Sequence, residues 1–86
     1  MVEENRRNKM KNWCRIIKLP EHDVLVQRLS DEENKEHLSV SIKLQGVLAT
    51  LNFGFDEDEK KCDDAFKSYK REMAMKAVET ITEMFN

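Results

Sequence analysis

Apolar and polar residues alternate with a period of two along residues 38–53, and this alternation predicts a β-hairpin. Apolar residues occupy every second position on each side of Gln45-Gly46, and mostly polar residues lie between them. A two-residue connection that ends in glycine suits the positive φ angles of a tight hairpin turn. A turn at this place puts four apolar pairs on one face of the sheet: Leu44 with Val47, Ile42 with Ala49, Val40 with Leu51, and Leu38 with Phe53.

Two further strands are predicted before the hairpin, over residues 13–19 and 23–29, with a turn between them that contains Pro20. The first segment is rich in β-branched and aromatic residues, which favour strands. The second carries apolar residues at both odd and even positions, which is typical of a central strand or of one covered on both faces.

Residues 63–85 predict one long helix, because apolar residues recur at steps of three and four and no glycine or proline interrupts them. Asp63 or Asp64 would serve as its N-cap, and Asp56 with Glu59 offers an earlier capping box. The elements together predict an α+β fold. It consists of an antiparallel sheet of three or four strands, a meander that contains the hairpin 38–53, packed on one long C-terminal helix.

The chain has 86 residues, a length that holds one small domain. We assign residues 13–86 to a single α+β domain. Residues 1–12 are polar nearly throughout, and we interpret them as a basic polar arm or a short N-terminal helix.

The predicted helix is longer than the predicted sheet. A helix of 23 residues extends about 34 Å, whereas a strand of seven residues extends about 23 Å. The end of the helix would therefore leave apolar residues uncovered, unless the N-terminal arm folds back over them. We predict a partner-binding surface from these residues and from the apolar exception on the polar face of the hairpin: Ile81, Met84, Phe85 and Leu48.

Charge is distributed unevenly. Residues 1–18 carry six basic residues and two acidic ones, whereas residues 19–86 carry nine basic and 15 acidic ones. A basic arm suits nucleic acid, but it equally suits the acidic body of another copy. The nucleic-acid hypothesis assigns phosphate contacts and one stacking ring to Arg6, Arg7, Lys9, Lys11 and Trp13.

The residue types that carry chemistry do not form a known pattern. His22 and His37 accompany no nucleophile motif, and together with Cys14 and Cys62 they match no paired-ligand spacing for zinc. With two glycines the chain cannot build a dinucleotide or phosphate-binding loop. We therefore expect no enzyme activity, no metal, no cofactor and no small-molecule substrate.

No apolar run approaches the length that crosses a bilayer, and the first residues lack the apolar core of a secretion signal. The two cysteines are expected to be free thiols in a reducing compartment, so we predict a cytoplasmic protein without membrane contact. The leading hypothesis is a small non-enzymatic protein-interaction module, such as an adaptor, an inhibitor or a homodimeric accessory protein. The alternative is a nucleic-acid-binding accessory protein that uses the basic arm.

Overall fold

The computed structural model describes residues 12–33 and 35–85, apart from the side chain of Phe85. Except for Asn12, the predicted basic arm or short N-terminal helix lies outside these residues. The described elements are four strands and two helices: β1 (Trp13–Lys18), β2 (Asp23–Ser30), β3 (Glu36–Leu44), β4 (Val47–Gly54), α1 (Glu59–Lys67) and α2 (Arg71–Phe85).

The four strands form one antiparallel meander in the order β1-β2-β3-β4, and both helices follow the sheet in the chain. The predicted α+β class, with an antiparallel sheet packed against C-terminal helices, is confirmed. The meander makes β2 and β3 the central strands and leaves β1 and β4 at the two edges of the sheet.

The hairpin is confirmed residue by residue. All four predicted apolar pairs are direct neighbours across β3 and β4. Gln45 has a φ of 52° and Gly46 a φ of 82°. Two positive φ angles in a two-residue loop define the type of turn whose twist matches that of the flanking strands.

The prediction of a single long helix was wrong, because the chain leaves the helical path at residues 68–70 and begins a second helix at Arg71. The break turns Phe66 and Tyr69 inward from one segment and Ala74, Ala77 and Ile81 inward from the next. A guanidinium N–H of Arg15 in β1 donates to the backbone carbonyl of Tyr69, which the break leaves without a helical partner.

The first helix begins earlier than the favoured aspartates indicated. Asp58 is the N-cap, and its carboxylate accepts the backbone N–H of Lys61 at 3.0 Å. This bond satisfies one of the free donors of the first helical turn. Asp63 and Asp64, predicted as alternative caps, lie inside α1 instead.

The core lies between the helices and one face of the sheet. Val24, Val26, Val40 and Ile42 in the central strands are at most 1% exposed. Ile81 is 2% exposed, so the prediction that it projects beyond its own sheet was wrong. The break in the helix lets α2 lie over the sheet so that Ile81 is covered, whereas Met84 near the end of α2 remains 70% exposed.

Candidate functional site: an edge strand beside an apolar groove

β4 is an edge strand among the described residues, and its own sequence carries none of the residues that usually protect an edge against pairing. It is eight residues long, and its sequence VLATLNFG contains no charged residue and no proline. Val47, Leu48 and Phe53 are 54%, 62% and 43% exposed. Natural edge strands usually carry charges, proline or bulges that prevent the addition of another strand. The composition of β4 therefore favours pairing.

The opposite edge of the sheet provides an internal comparison. β1 has six residues, of which Arg15 and Lys18 are basic, and Pro20 follows two residues after its end. Arg15 points toward the helices, where its guanidinium lies over the ring of Phe66 at 5.2 Å from the centroid. A charge that points inward from an edge strand is a known obstacle to pairing. The two edges therefore differ in the property that controls strand addition.

The hydrogen-bonding pattern of the hairpin identifies which groups of β4 face outward. In a two-residue hairpin the residue after the turn bonds back to the residue before it, so the backbone groups of Val47 face β3. Successive residues of an antiparallel strand alternate in this respect. The backbone N–H and C=O groups that point away from the sheet therefore belong to Leu48, Thr50, Asn52 and Gly54.

An apolar groove of about 610 Å³ runs beside this edge, between β4 and α2. Leu38, Leu51, Phe53 and Phe55 line it on the strand side. The helical segments contribute Ala65, Tyr69, Met73 and Ala77, and the polar residues at the groove are Asn52, Glu72, Lys76 and Thr80.

The helical side of the groove is held by the residues at the break. Tyr69 is 8% exposed, and its hydroxyl donates to the backbone carbonyl of Met73 at 3.3 Å. Burial raises the pKa of the Tyr69 hydroxyl, so that it remains a donor. Met73 itself is 45% exposed and presents its flexible side chain to the groove. Methionine adapts its shape to different apolar neighbours, which suits a contact surface.

The predicted partner-binding residues are dispersed in the structure. Ile81 belongs to the core and offers no surface to a partner. Met84 is 70% exposed at the end of α2, and the side chain of Phe85 lies outside the described part of the chain. Leu48 lies on the sheet face that the helices leave open, beside Lys43. Ile81, Met84 and Leu48, the three of these residues whose side chains the structure describes, do not line the groove.

Of the predicted nucleic-acid residues, Trp13 alone lies within the described residues. Its ring is half-buried against Phe66, with 5.6 Å between the ring centroids. The guanidinium of Arg28 and the ammonium of Lys67 each lie 5.6 Å from the centre of the same ring. Trp13 therefore packs within the fold. Arg6, Arg7, Lys9 and Lys11 lie outside the described residues.

The sequence did not indicate a buried ionic cluster around Arg28, which is completely buried in β2. Its Nε donates to Asp63 Oδ1 of α1 at 2.7 Å, and its Nη1 lies 2.5 Å from Glu36 Oε1 of β3. Ser30 accepts from the same Nη1 at 2.7 Å and donates to Glu36 Oε1 at 2.5 Å. Burial alone would lower the pKa of Arg28, but the hydrogen bonds to Asp63 and Glu36 raise it.

This cluster connects three elements rather than facing solvent. The side chains of Glu36 and Asp63 are 2% and 17% exposed. The adjoining Cys62 is also fully buried, and burial raises the pKa of its thiol. Buried charged side chains affect stability mainly through the ion pairs that they form with each other. The cluster therefore fastens α1 to β2 and β3.

Cys14 and Cys62 are free thiols, the first exposed and the second buried. Within residues 12–33 and 35–85, no three His, Cys, Asp or Glu side chains are arranged to hold a metal ion. No described helix has both the length and the apolar character needed to span a membrane. Comparisons of the chain with protein families, with curated proteins and with solved structures found no match.

Proposed function

We propose that this chain is a small non-enzymatic protein-interaction module that adds an extended, uncharged segment of a protein to the outer edge of β4. The observation that carries the proposal is the coincidence of two features along one line. An unprotected edge strand offers backbone donors and acceptors, and an apolar groove lies directly beside it. Strand addition uses both, because main-chain bonds supply affinity and pockets for alternate side chains supply specificity.

The length of β4 and the exposed apolar side chains beside it suit such a ligand. Alternate side chains of a strand project on one face about 6.6 Å apart, so an eight-residue strand faces about four inward side chains of its partner. Phe53 and Met73 are roughly half exposed, and covering each of them contributes on the order of 1 kcal/mol. The free thiols of Cys14 and Cys62 support placing this activity in a reducing compartment such as the cytoplasm.

The test compares two methionines on α2 that differ in their relation to the groove. Met73 lines it, whereas Met75 is 52% exposed and does not. The wild-type chain, Met73→Lys and Met75→Lys are immobilised and exposed to native lysate, and the bound proteins are quantified by mass spectrometry. We expect Met73→Lys to lose the specific partners because a charge enters the apolar groove, and Met75→Lys to retain them.

Thermal unfolding of the two variants provides the control, because both substitutions lie at exposed positions of one helix and should leave the fold intact. If folded Met73→Lys retains every protein that the wild-type chain captures, the groove is not the binding surface. Met73→Lys would also retain its partners if they bound to the sheet face that the helices leave open.

A second candidate function, nucleic-acid binding, is favoured by the basic composition of residues 1–18. Its expected signature is affinity that falls steeply with salt and is lost in Arg6→Ala/Arg7→Ala. Binding through the groove should instead depend weakly on salt and should persist in that variant.

A further inference from the structure

We infer that the segment that pairs with β4 is β4 of a second copy of this chain. The two copies are related by a two-fold axis and form one continuous eight-stranded sheet. This inference rests on the proposed function and names its partner. It follows from the self-complementarity of β4, which can be examined residue by residue.

A two-fold axis through the middle of β4 gives a consistent antiparallel register. With the axis beside Leu51, Thr50 lies opposite Asn52 of the partner subunit and Leu48 lies opposite Gly54 of the partner subunit. All of these residues have outward backbone groups, so the register forms about eight N–H···O=C bonds. The full length of the strand is used, and no backbone donor within it is left without an acceptor.

The same register joins the apolar faces. Phe53, which is 43% exposed, lies opposite Ala49 of the partner subunit, so that a large side chain meets a small one. A register in which facing residues share the same parity keeps inward side chains inward on both copies. The two grooves beside β4 then face each other across the axis and form one apolar interior.

Charge favours a second copy over a foreign segment. In a two-fold interface each residue near the axis approaches its own equivalent, so a charged residue there would repel itself. β4 carries no charge over eight residues. On the helical side of the groove, Glu72 and Lys76 lie one turn apart. A two-fold axis makes the two copies of this helical segment antiparallel, so that Glu72 of one copy approaches Lys76 of the other.

The test uses Thr50→Pro with Thr50→Val as its matched control. Both substitutions remove the hydroxyl that lies 2.9 Å from Ser41 Oγ, but proline alone also removes the outward N–H. Proline is tolerated on an edge strand where the N–H faces away from the sheet. Circular dichroism establishes that each variant is folded.

Sedimentation equilibrium of the full chain, from low micromolar to near-millimolar concentration, measures the oligomeric state. We expect the wild-type chain and Thr50→Val to form dimers as concentration rises. The dissociation constant of the Thr50→Pro dimer should rise about tenfold or more, because the dimer loses two intersubunit hydrogen bonds, one donated by each copy.

A second pair of variants applies if Thr50→Pro does not fold. Asn52 and Gln27 occupy the same row of the open sheet face, one at the edge and one in the central strand β2. Asn52→Lys should weaken the dimer through repulsion at the edge, and Gln27→Lys should not.

A wild-type chain that remains monomeric at the highest concentration would overturn the inference, as would edge variants that dimerise like the wild type. These failures differ from a failure of the proposed function. If the chain is monomeric but Met73→Lys still loses proteins that the wild type captures, the groove binds a foreign segment.

Discussion

At the scale of single residues, burial gives the two cysteines different chemistry. Cys62 is completely buried and Cys14 is exposed. Burial raises the pKa of the Cys62 thiol. The nearby guanidinium of Arg28 lowers it, while the carboxylates of Glu36 and Asp63 raise it further. The thiol therefore stays protonated in the folded protein at a pH where the unfolded chain has begun to ionise.

The direction of the pH effect follows from proton binding. Above the ordinary thiol pKa of about 8.5, the unfolded chain binds fewer protons than the folded one, so the free energy of unfolding falls as pH rises. At neutral pH the Cys62 thiol is protonated in both states, so none of this stability has yet been lost. The loss amounts to at most about 1.4 kcal/mol for each pH unit between the unfolded and folded pKa values of Cys62.

This effect is measured by comparing the free energy of unfolding from urea denaturation at neutral pH with that at about one pH unit above the ordinary thiol pKa. We expect the wild type to lose more stability over that interval than Cys62→Ala does. Cys14→Ala, at an exposed position, should behave like the wild type. Equal losses in the wild type and Cys62→Ala would show that the buried thiol does not contribute to the pH dependence.

At the scale of elements, α1 is attached to the sheet by the ionic cluster as well as by apolar contacts. Removing Arg28 leaves the carboxylate of Glu36, which is 2% exposed, without the buried cation that it faces, and it takes one cation away from Asp63. We expect Arg28→Met to lower the free energy of unfolding by about 3–5 kcal/mol, as measured by urea denaturation at neutral pH.

The matched control is Lys60→Met, which removes an ion pair on the same helix. The side chains of Lys60 and Asp64 are 87% and 63% exposed and their charged atoms lie 3.1 Å apart. An exposed pair at this spacing contributes about 0.5 kcal/mol or less. If Arg28→Met costs no more than Lys60→Met, the buried cluster does not hold α1 in place.

The predictability of each element follows from the range of the interactions that specify it. The hairpin depends on neighbours within 16 residues and on one turn, so its register was predicted correctly. The break at residues 68–70 lies in a stretch of uninterrupted helical periodicity without glycine or proline. The backbone carbonyl of Tyr69 at this break accepts from Arg15, which is distant in the sequence. Local sequence patterns cannot predict a contact between residues so far apart in the chain.

The same reasoning applies to the candidate site. Leu48 was recognised as an apolar exception, but the open edge of β4 could not be, because it depends on strand order. Arg28, Glu36 and Asp63 come from three elements, and their meeting depends on tertiary structure. Ile81 was assigned to a partner surface on the assumption of a straight helix, and the break placed it in the core.

At the scale of the whole molecule, the sheet has two edges with opposite properties. β1 is short, basic and turned inward at Arg15, whereas β4 is longer, uncharged and bordered by the groove. If the sheet grows only at β4, growth stops after one addition, because pairing two copies occupies the β4 edge of each. The asymmetry therefore supports a dimer and opposes an open-ended fibre.

The central claim is that the outer edge of β4 pairs with a second copy, and amide hydrogen exchange resolved by residue tests it most directly. The amides of Ala49 and Leu51 bond to β3, so we expect them to be protected at every protein concentration. The outward amides of Leu48, Thr50 and Asn52 should exchange rapidly in dilute solution and become protected as concentration rises. If these three amides remain unprotected in the most concentrated sample, the claim is contradicted.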